Sequence, residues 1–196
     1  FLYTDRQAGL RLALNNGISR VELPSPLTFM TESKAPQGGV TDCKRHDGML
    51  YFATYDGLYT LNEVTGGYTP VSGILTTCWS IMPTPKGLLA ATSEGVYLVD
   101  KQAARKLTQG FSFSLCTSKL HPNTVYAGEK NSISVLTLGA AGWTSSGAIP
   151  CPYNEIHEIV EDRDGWLWIP TIAKGILRFR APASGTERPE ILRYDT

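Results

Sequence analysis

The chain has 196 residues, 42% of them hydrophobic and 10% aromatic, with 18 basic against 18 acidic side chains and a formal net charge of +0. Such a composition folds, and a chain of this length can bury roughly 70% of its unfolded surface. Balanced charge without a basic block excludes a generic nucleic-acid or anionic-membrane binder, and no apolar run reaches the ~20 residues that span a bilayer.

Taken in chain order, the predicted elements repeat. FLYTDRQAGLRLAL (1–14) is two apolar runs around a polar turn and Gly9, followed by a third run, GISRVEL. VTDCKR then precedes LYFATYDGLYTL (50–61) with its turn at Gly57, and GYTPVSG follows. CWSIMP precedes LLAATSEGVYLV (88–99), turning at Gly95, and ARKLTQG follows. FSLCTSKL precedes a degenerate copy, TVYAGEKNSISVL (124–136), with Ser132 at the glycine position, and GWTSSGA closes it. EIHEIVED precedes LWIPTIAKGILRF (167–179), turning at Gly175, and PEILRYD ends the chain.

The runs are four to six residues long and rich in Val, Ile, Leu, Tyr and Phe, which is strand chemistry; no sustained 3.6-residue period predicts a helix. Gly9, Gly57, Gly95 and Gly175 are 48, 38 and 80 residues apart, the last being two periods of 40. Four strands every ~40 residues is the period of a β-propeller blade. The expected fold is therefore all-β: a β-propeller of about five four-stranded blades, at 1–36 (partial), 37–73, 74–110, 111–150 and 151–196. Three strands in the first copy and four in each of the others make 19. A two-sheet sandwich is the rival architecture. Both ends read as cut, so we expect a single segment of a larger propeller, seven-bladed or double, completed by further blades or by another copy of the chain.

The cysteines, Cys43, Cys78, Cys116 and Cys151, are 35, 38 and 35 residues apart, without metal-ligand spacing. They read as thiols carried on strands.

The stretch IHEIVEDRDGWLWIPTIAKGILRF resembles the two-component-regulator propeller repeat. Asp162, Gly165, Trp168, Thr171, Gly175 and Phe179 fall on its signature positions. The resemblance is strong over 112–196 and weaker over 1–111. It implies a periplasmic module, the extracytoplasmic sensor region of a membrane histidine kinase, with a three-Y domain, membrane segment and kinase outside these residues. It also implies ligand sensing, with carbohydrate fragments well represented. The family's glycine before the threonine is Pro170 here, which predicts a bulge or a lost ladder bond.

Chemistry-bearing motifs are few. Asp162-Arg163-Asp164-Gly165 lacks the glycine and glutamate spacing of a calcium loop and reads as a turn aspartate bonding backbone amides. HEIVED is not a zinc-protease motif, no nucleophile elbow is present, and the sialidase, kelch and WD40 signatures are incomplete. His46, His121 and His157 belong to different blades. Trp166 and Trp168, two apart, share a strand face as core or as a stacking platform. We therefore expect no catalytic residue, metal or cofactor.

Propellers bind where loops gather. One face collects the second-to-third-strand turns and the starts of the first strands. It nominates Tyr55, Asp56, Glu94, Glu129, Lys130, Tyr153, Asn154 and Lys174 for a sugar or other small ligand; Asp162, Gly165, Trp168, Thr171 and Gly175 are structural. The leading expectation is a ligand-sensing or interaction module. An envelope or secretion scaffold is the alternative, and a lyase resembling virginiamycin-B lyase, which would need a His/Glu metal constellation, is third.

Overall fold

Each copy of the repeat closes on itself as its own antiparallel sheet, because its apolar runs are joined by turns too short to reach a distant partner. The computed structural model describes residues 2–4, 10–14, 17–21, 38–171, 175–180 and 189–194. The chain divides into two units, Phe1–Lys34 and Ala35–Thr196. The first holds a three-stranded sheet of β1 (Leu2–Thr4), β2 (Leu10–Leu14) and β3 (Gly17–Val21), paired in chain order. Gly9 lies outside the described residues.

The second unit holds four four-stranded meanders. They are β4 (Val40–His46), β5 (Met49–Thr54), β6 (Gly57–Asn62) and β7 (Gly67–Pro70); then β8 (Cys78–Thr84), β9 (Gly87–Thr92), β10 (Gly95–Asp100) and β11 (Ala103–Lys106). The third is β12 (Ser112–Thr117), β13 (Thr124–Glu129), β14 (Ser132–Gly139) and β15 (Gly142–Pro150). The last is β16 (Val160–Glu161), β17 (Leu167–Pro170), β18 (Ile176–Arg180) and β19 (Glu190–Tyr194). The described residues contain 19 strands and no helix. The fold is all-β, of the β-propeller class.

Within the second unit each sheet packs face to face on the next. Tyr51, Ala53 and Leu58 meet Ile81, Leu88, Ala90 and Val99 between the first two sheets. Leu89 and Val96 meet Val125, Ala127, Leu136 and Trp143 between the second and third. Tyr126 and Ile133 meet Leu167, Ile169, Leu177 and Phe179 between the third and fourth. A strand flanked on both sides must be apolar on both faces. That is why β9 reads Leu88-Leu89-Ala90-Ala91 without alternation, all four fully buried.

Polar contacts lock the same interfaces. Trp143 Nε1 donates to Thr84 Oγ1 at 3.1 Å, and the Thr41 hydroxyl donates to the Cys78 carbonyl at 2.6 Å. Glu161, almost wholly buried, accepts from the Ser118 hydroxyl at 2.9 Å and from the Lys119 amide. Cys43, Cys78 and Cys116 lie on the first strands of their sheets, and burial pushes the Cys78 thiol up to about 12.

The repeated threonine and glycine form one device. Thr54, Thr92 and Thr171 each donate a hydroxyl to the carbonyl of the turn glycine, Gly57, Gly95 or Gly175, at 3.0, 2.8 and 2.8 Å. In the first two turns the same oxygen accepts an amide from Asp56 or Glu94. Glycine is required at position 95: φ is +132°, and a Cβ there would lie 2.2 Å from the Thr108 carbonyl oxygen. In the degenerate copy Glu129 stands at the threonine position. Its buried carboxylate accepts from Ser132 and Ser134 at 2.7 Å and from Ser112 at 3.3 Å.

Of the two outcomes expected at Pro170, a bulge is absent and a lost donor is what remains. β17 pairs with β18 without a register shift, Pro170 lying opposite Ile176. Because the Thr171 amide donates to Gly175 at 3.0 Å, alternation turns the Pro170 nitrogen away from β18 and toward β16. The missing donor falls there, in register with Glu158. The first strand of the last sheet shrinks to Val160–Glu161, far short of the 155–162 run the sequence suggested.

Candidate functional site

Three consecutive first strands carry a β-bulge at the same place. Register shifts fall between Val40 and Asp42 on β4, between Cys78 and Ser80 on β8, and between Ser112 and Ser114 on β12. The extra residues are Thr41, Trp79 and Phe113. Each lies beside the pair that its sheet makes with Thr54, Thr92 or Glu129, the threonine position of the repeat. Continuing the β16–β17 register to Thr171 puts His157 at the corresponding place in the last sheet. A bulge leaves its extra residue unpaired and re-aims the side chain.

Here the re-aimed rings converge. Phe113 and His157 centroids are 4.5 Å apart, Trp79 and Phe113 5.5 Å, and Trp79 and His157 6.2 Å. Phe111 extends the cluster beside Phe113 at 5.6 Å, and Tyr55 meets Trp79 edge-on at 5.9 Å. Trp79 is fixed by its indole N–H, which donates to Ser93 Oγ at 3.1 Å. The rings wall a cavity of about 440 Å³, with Asp42, Ser80 and Glu158 supplying polar groups. A smaller lobe of about 180 Å³ lies between Phe111, Lys130 and Glu155. Asp42 spans two sheets: Oδ2 accepts the Ile81 amide at 3.0 Å, and Oδ1 receives Lys44 Nζ at 2.7 Å. His157 Nε2 is 3.5 Å from Glu155 Oε2.

The nominated residues divide accordingly. The strand registers place the β5–β6, β9–β10 and β13–β14 turns at the same end as the bulges. Tyr55 packs edge-on against Trp79, and Lys130 lines the smaller lobe. Asp56 is an exposed turn residue beside Gly38. Glu94 turns to its own sheet's outer strands, accepting from Tyr97 Oη at 3.1 Å and Lys106 Nζ at 3.3 Å. Glu129 is buried among serine hydroxyls. Tyr153 packs on the core between the third and fourth sheets, Asn154 is exposed, and Lys174 lies outside the described residues. In the sequence Trp79, Phe113 and His157 do not stand out as a set. CWSIMP, FSLCTSKL and EIHEIVED each carry a ring-bearing residue within their first three positions, whereas VTDCKR does not, and only the tertiary structure shows that the three rings point together.

The signature residues build a separate cluster. Asp162 accepts the amides of Asp164 and Trp166 at 2.9 Å and the Trp168 indole N–H at 2.8 Å, with Arg178 3.5 Å away. These bonds, the indole's first, hold its carboxyl below the ordinary value. Trp168 stacks on Tyr194, while Trp166, nearly buried, lies against the guanidinium groups of Arg178 and Arg180 at 4.3 and 4.2 Å. Gly165 has φ +79° and closes the turn. Among the described residues no group of three or more His, Cys, Asp or Glu is arranged to hold a metal ion.

Meanders packed face to face and closed by bulged first strands define the class: a β-propeller fold. No protein-family model and no curated protein sequence matches the chain. Solved structures do. The chain is similar to the extracellular domain of BT4673 from B. thetaiotaomicron, assigned to a one-component system, with a TM-score of 0.64 and 17% identity over 95% of this chain and 26% of that one. It is similar to the extracellular domain of BT3049 from the same organism, assigned to a hybrid two-component system, with a TM-score of 0.54 and 19% identity over 96% and 29%. The WD40 domain of Neurospora crassa Pan2 matches with a TM-score of 0.56 and 12% identity over 85% and 53%. The chain thus spans little more than a quarter of the two extracellular domains. At these identities the likeness is one of fold, and the first two structures come from the signalling class that the Asp162–Phe179 signature resembles.

Proposed function

We propose that this chain is a ligand-sensing module of the extracytoplasmic, periplasmic sensor region of a two-component signalling protein, with carbohydrate fragments as its ligands. The observation that carries this reading is the cavity walled by Trp79, Phe113 and His157, at the end of the sheets where propellers present loops to ligands. The fold likeness to two extracellular domains of signalling proteins and the Asp162–Phe179 signature support the cellular setting. No helix among the described residues is long and apolar enough to cross a membrane. The module binds and does not catalyse; its output is a shift in the arrangement of whatever it adjoins. Calorimetry of the full-length ectodomain against a glycan panel tests the reading. Saturable heat with one glycan class is the expected result, and silence across the panel beside a demonstrated protein partner rejects it.

A second reading is a scaffold that contacts further blades, another copy or an envelope protein. It is favoured by the outer face of the last sheet, where Val160, Ile176, Leu192 and Tyr194 are each more than 40% exposed. Pull-down from envelope extract with Ile176→Glu against the wild type discriminates, since only a scaffold loses its partner on that change.

A further inference from the structure

We propose that the Trp79–Phe113–His157 basin selects a ring-shaped ligand that is rich in hydrogen-bond donors and carries no negative charge. The inference rests on the sensing reading and adds the site and the charge class of its ligand.

The apolar part of the recognition is built into the backbone. Equivalent bulges on β4, β8 and β12 are three separate interruptions of the ladder, and each lifts one side chain toward the same space. Two of those side chains are aromatic, and His157 adds a third ring at the corresponding position. Trp79 is pinned through Ser93 and Phe113 is nearly buried, so the wall is preorganised and loses little entropy when a ring stacks on it. The 440 Å³ volume suits a ligand of one or two rings.

The polar part decides the sign. The polar residues that line the larger lobe beside the rings include Asp42, Ser80 and Glu158. Glu158 makes no hydrogen bond or ion pair among the described residues, and the Ser80 hydroxyl is likewise unengaged there. Lys44 already lies on one Asp42 oxygen, and Lys130 belongs to the smaller lobe beside Glu155. Carboxylates accept and do not donate. A hydroxyl or ammonium group on the ligand finds an acceptor at once. A sulfate, phosphate or uronate would stand close to the Asp42 and Glu158 carboxylates, and like charges at such range repel. Neutral sugars and amino sugars share the favoured chemistry.

The test uses the full-length protein with matched probes: neutral oligosaccharides, their amino-sugar counterparts, and the sulfated or uronate forms of the same rings. Calorimetry is expected to show binding of a neutral or amino probe and at least about tenfold weaker binding of its anionic counterpart. Trp79→Ala is expected to weaken the bound probe by about tenfold or more, the usual cost of truncating an aromatic anchor. His157→Ala, at a half-exposed position, should weaken it without disturbing the fold, as circular dichroism would verify. Glu158→Lys should narrow or invert the preference against the anionic probe. Equal binding of neutral and anionic probes, or unchanged affinity in both ring variants, overturns the proposal while leaving the sensing reading intact. Absence of binding by every probe overturns it as well. In that case a transcriptional reporter in cells grown on each glycan tells whether sensing itself has failed.

Discussion

Asp162 shows how one side chain sets a local structure. Its two oxygens take two backbone amides and an indole N–H, so the turn into β17 and the position of Trp168 depend on the same charge. The folded carboxyl is held below its ordinary value of 3.8, so it favours the folded state once it is ionised. The contribution is fully present above the ordinary value and is lost as the pH falls through the depressed one. Asp162→Asn should therefore be less stable than the wild type at neutral pH, with the gap closing as the pH drops below about 4. Urea midpoints read by tryptophan fluorescence between pH 2 and pH 7 check this. A gap that persists unchanged at pH 2 would mean that the charge plays no part.

The hairpin is the unit that the repeat conserves within the chain. A threonine hydroxyl ties the turn from within, donating to the glycine carbonyl and receiving an amide, while the glycine lets another segment's carbonyl approach. Thr92→Val keeps shape and removes both bonds at a fully buried position, so about 1–2 kcal/mol of stability should be lost. Gly95→Ala should cost at least as much, through a strained φ and a clash with the Thr108 carbonyl, on the order of 1–3 kcal/mol. Chemical denaturation of both variants measures this; a Thr92→Val variant as stable as wild type would show that water satisfies the turn instead. The degenerate hairpin is tied differently: the Glu129 carboxylate accepts three serine hydroxyls, and the close approach of another segment's carbonyl, that of Ile156, falls at Gly128.

In the second unit as a body, stability follows shared faces. The sheets of β8–β11 and β12–β15 are covered on both sides by their neighbours, and their cores continue into one another through Leu89, Val96 and Trp143. Their amides should therefore exchange slowest with deuterium, and the β16–β19 sheet, with an exposed apolar row, faster. Leu89→Ala, fully buried at the interface, should cost about 2–5 kcal/mol. It should also speed exchange in both sheets together. Faster exchange confined to β8–β11 would show that the sheets open independently.

Periodicity carried most of the architecture. Runs of strand-forming residues with glycine turns every ~40 positions specify local hairpins, and these depend on neighbours in the chain, so Gly57, Gly95 and Gly175 were legible without coordinates. The continuous apolar run at Leu88–Ala91 likewise announced a strand covered on both faces. The direction of a side chain at a bulge is different in kind. Thr41, Trp79 and Phe113 look like ordinary alternating strand residues until the ladder slips by one, and His157 joins them from the segment before β16. The same holds for Pro170, whose effect depended on which neighbour its nitrogen faced, and for Glu129, an exposed turn acid by position that packing buries among hydroxyls. Local bonding along the chain fixed the hairpins; contacts between sheets chose which side chains meet.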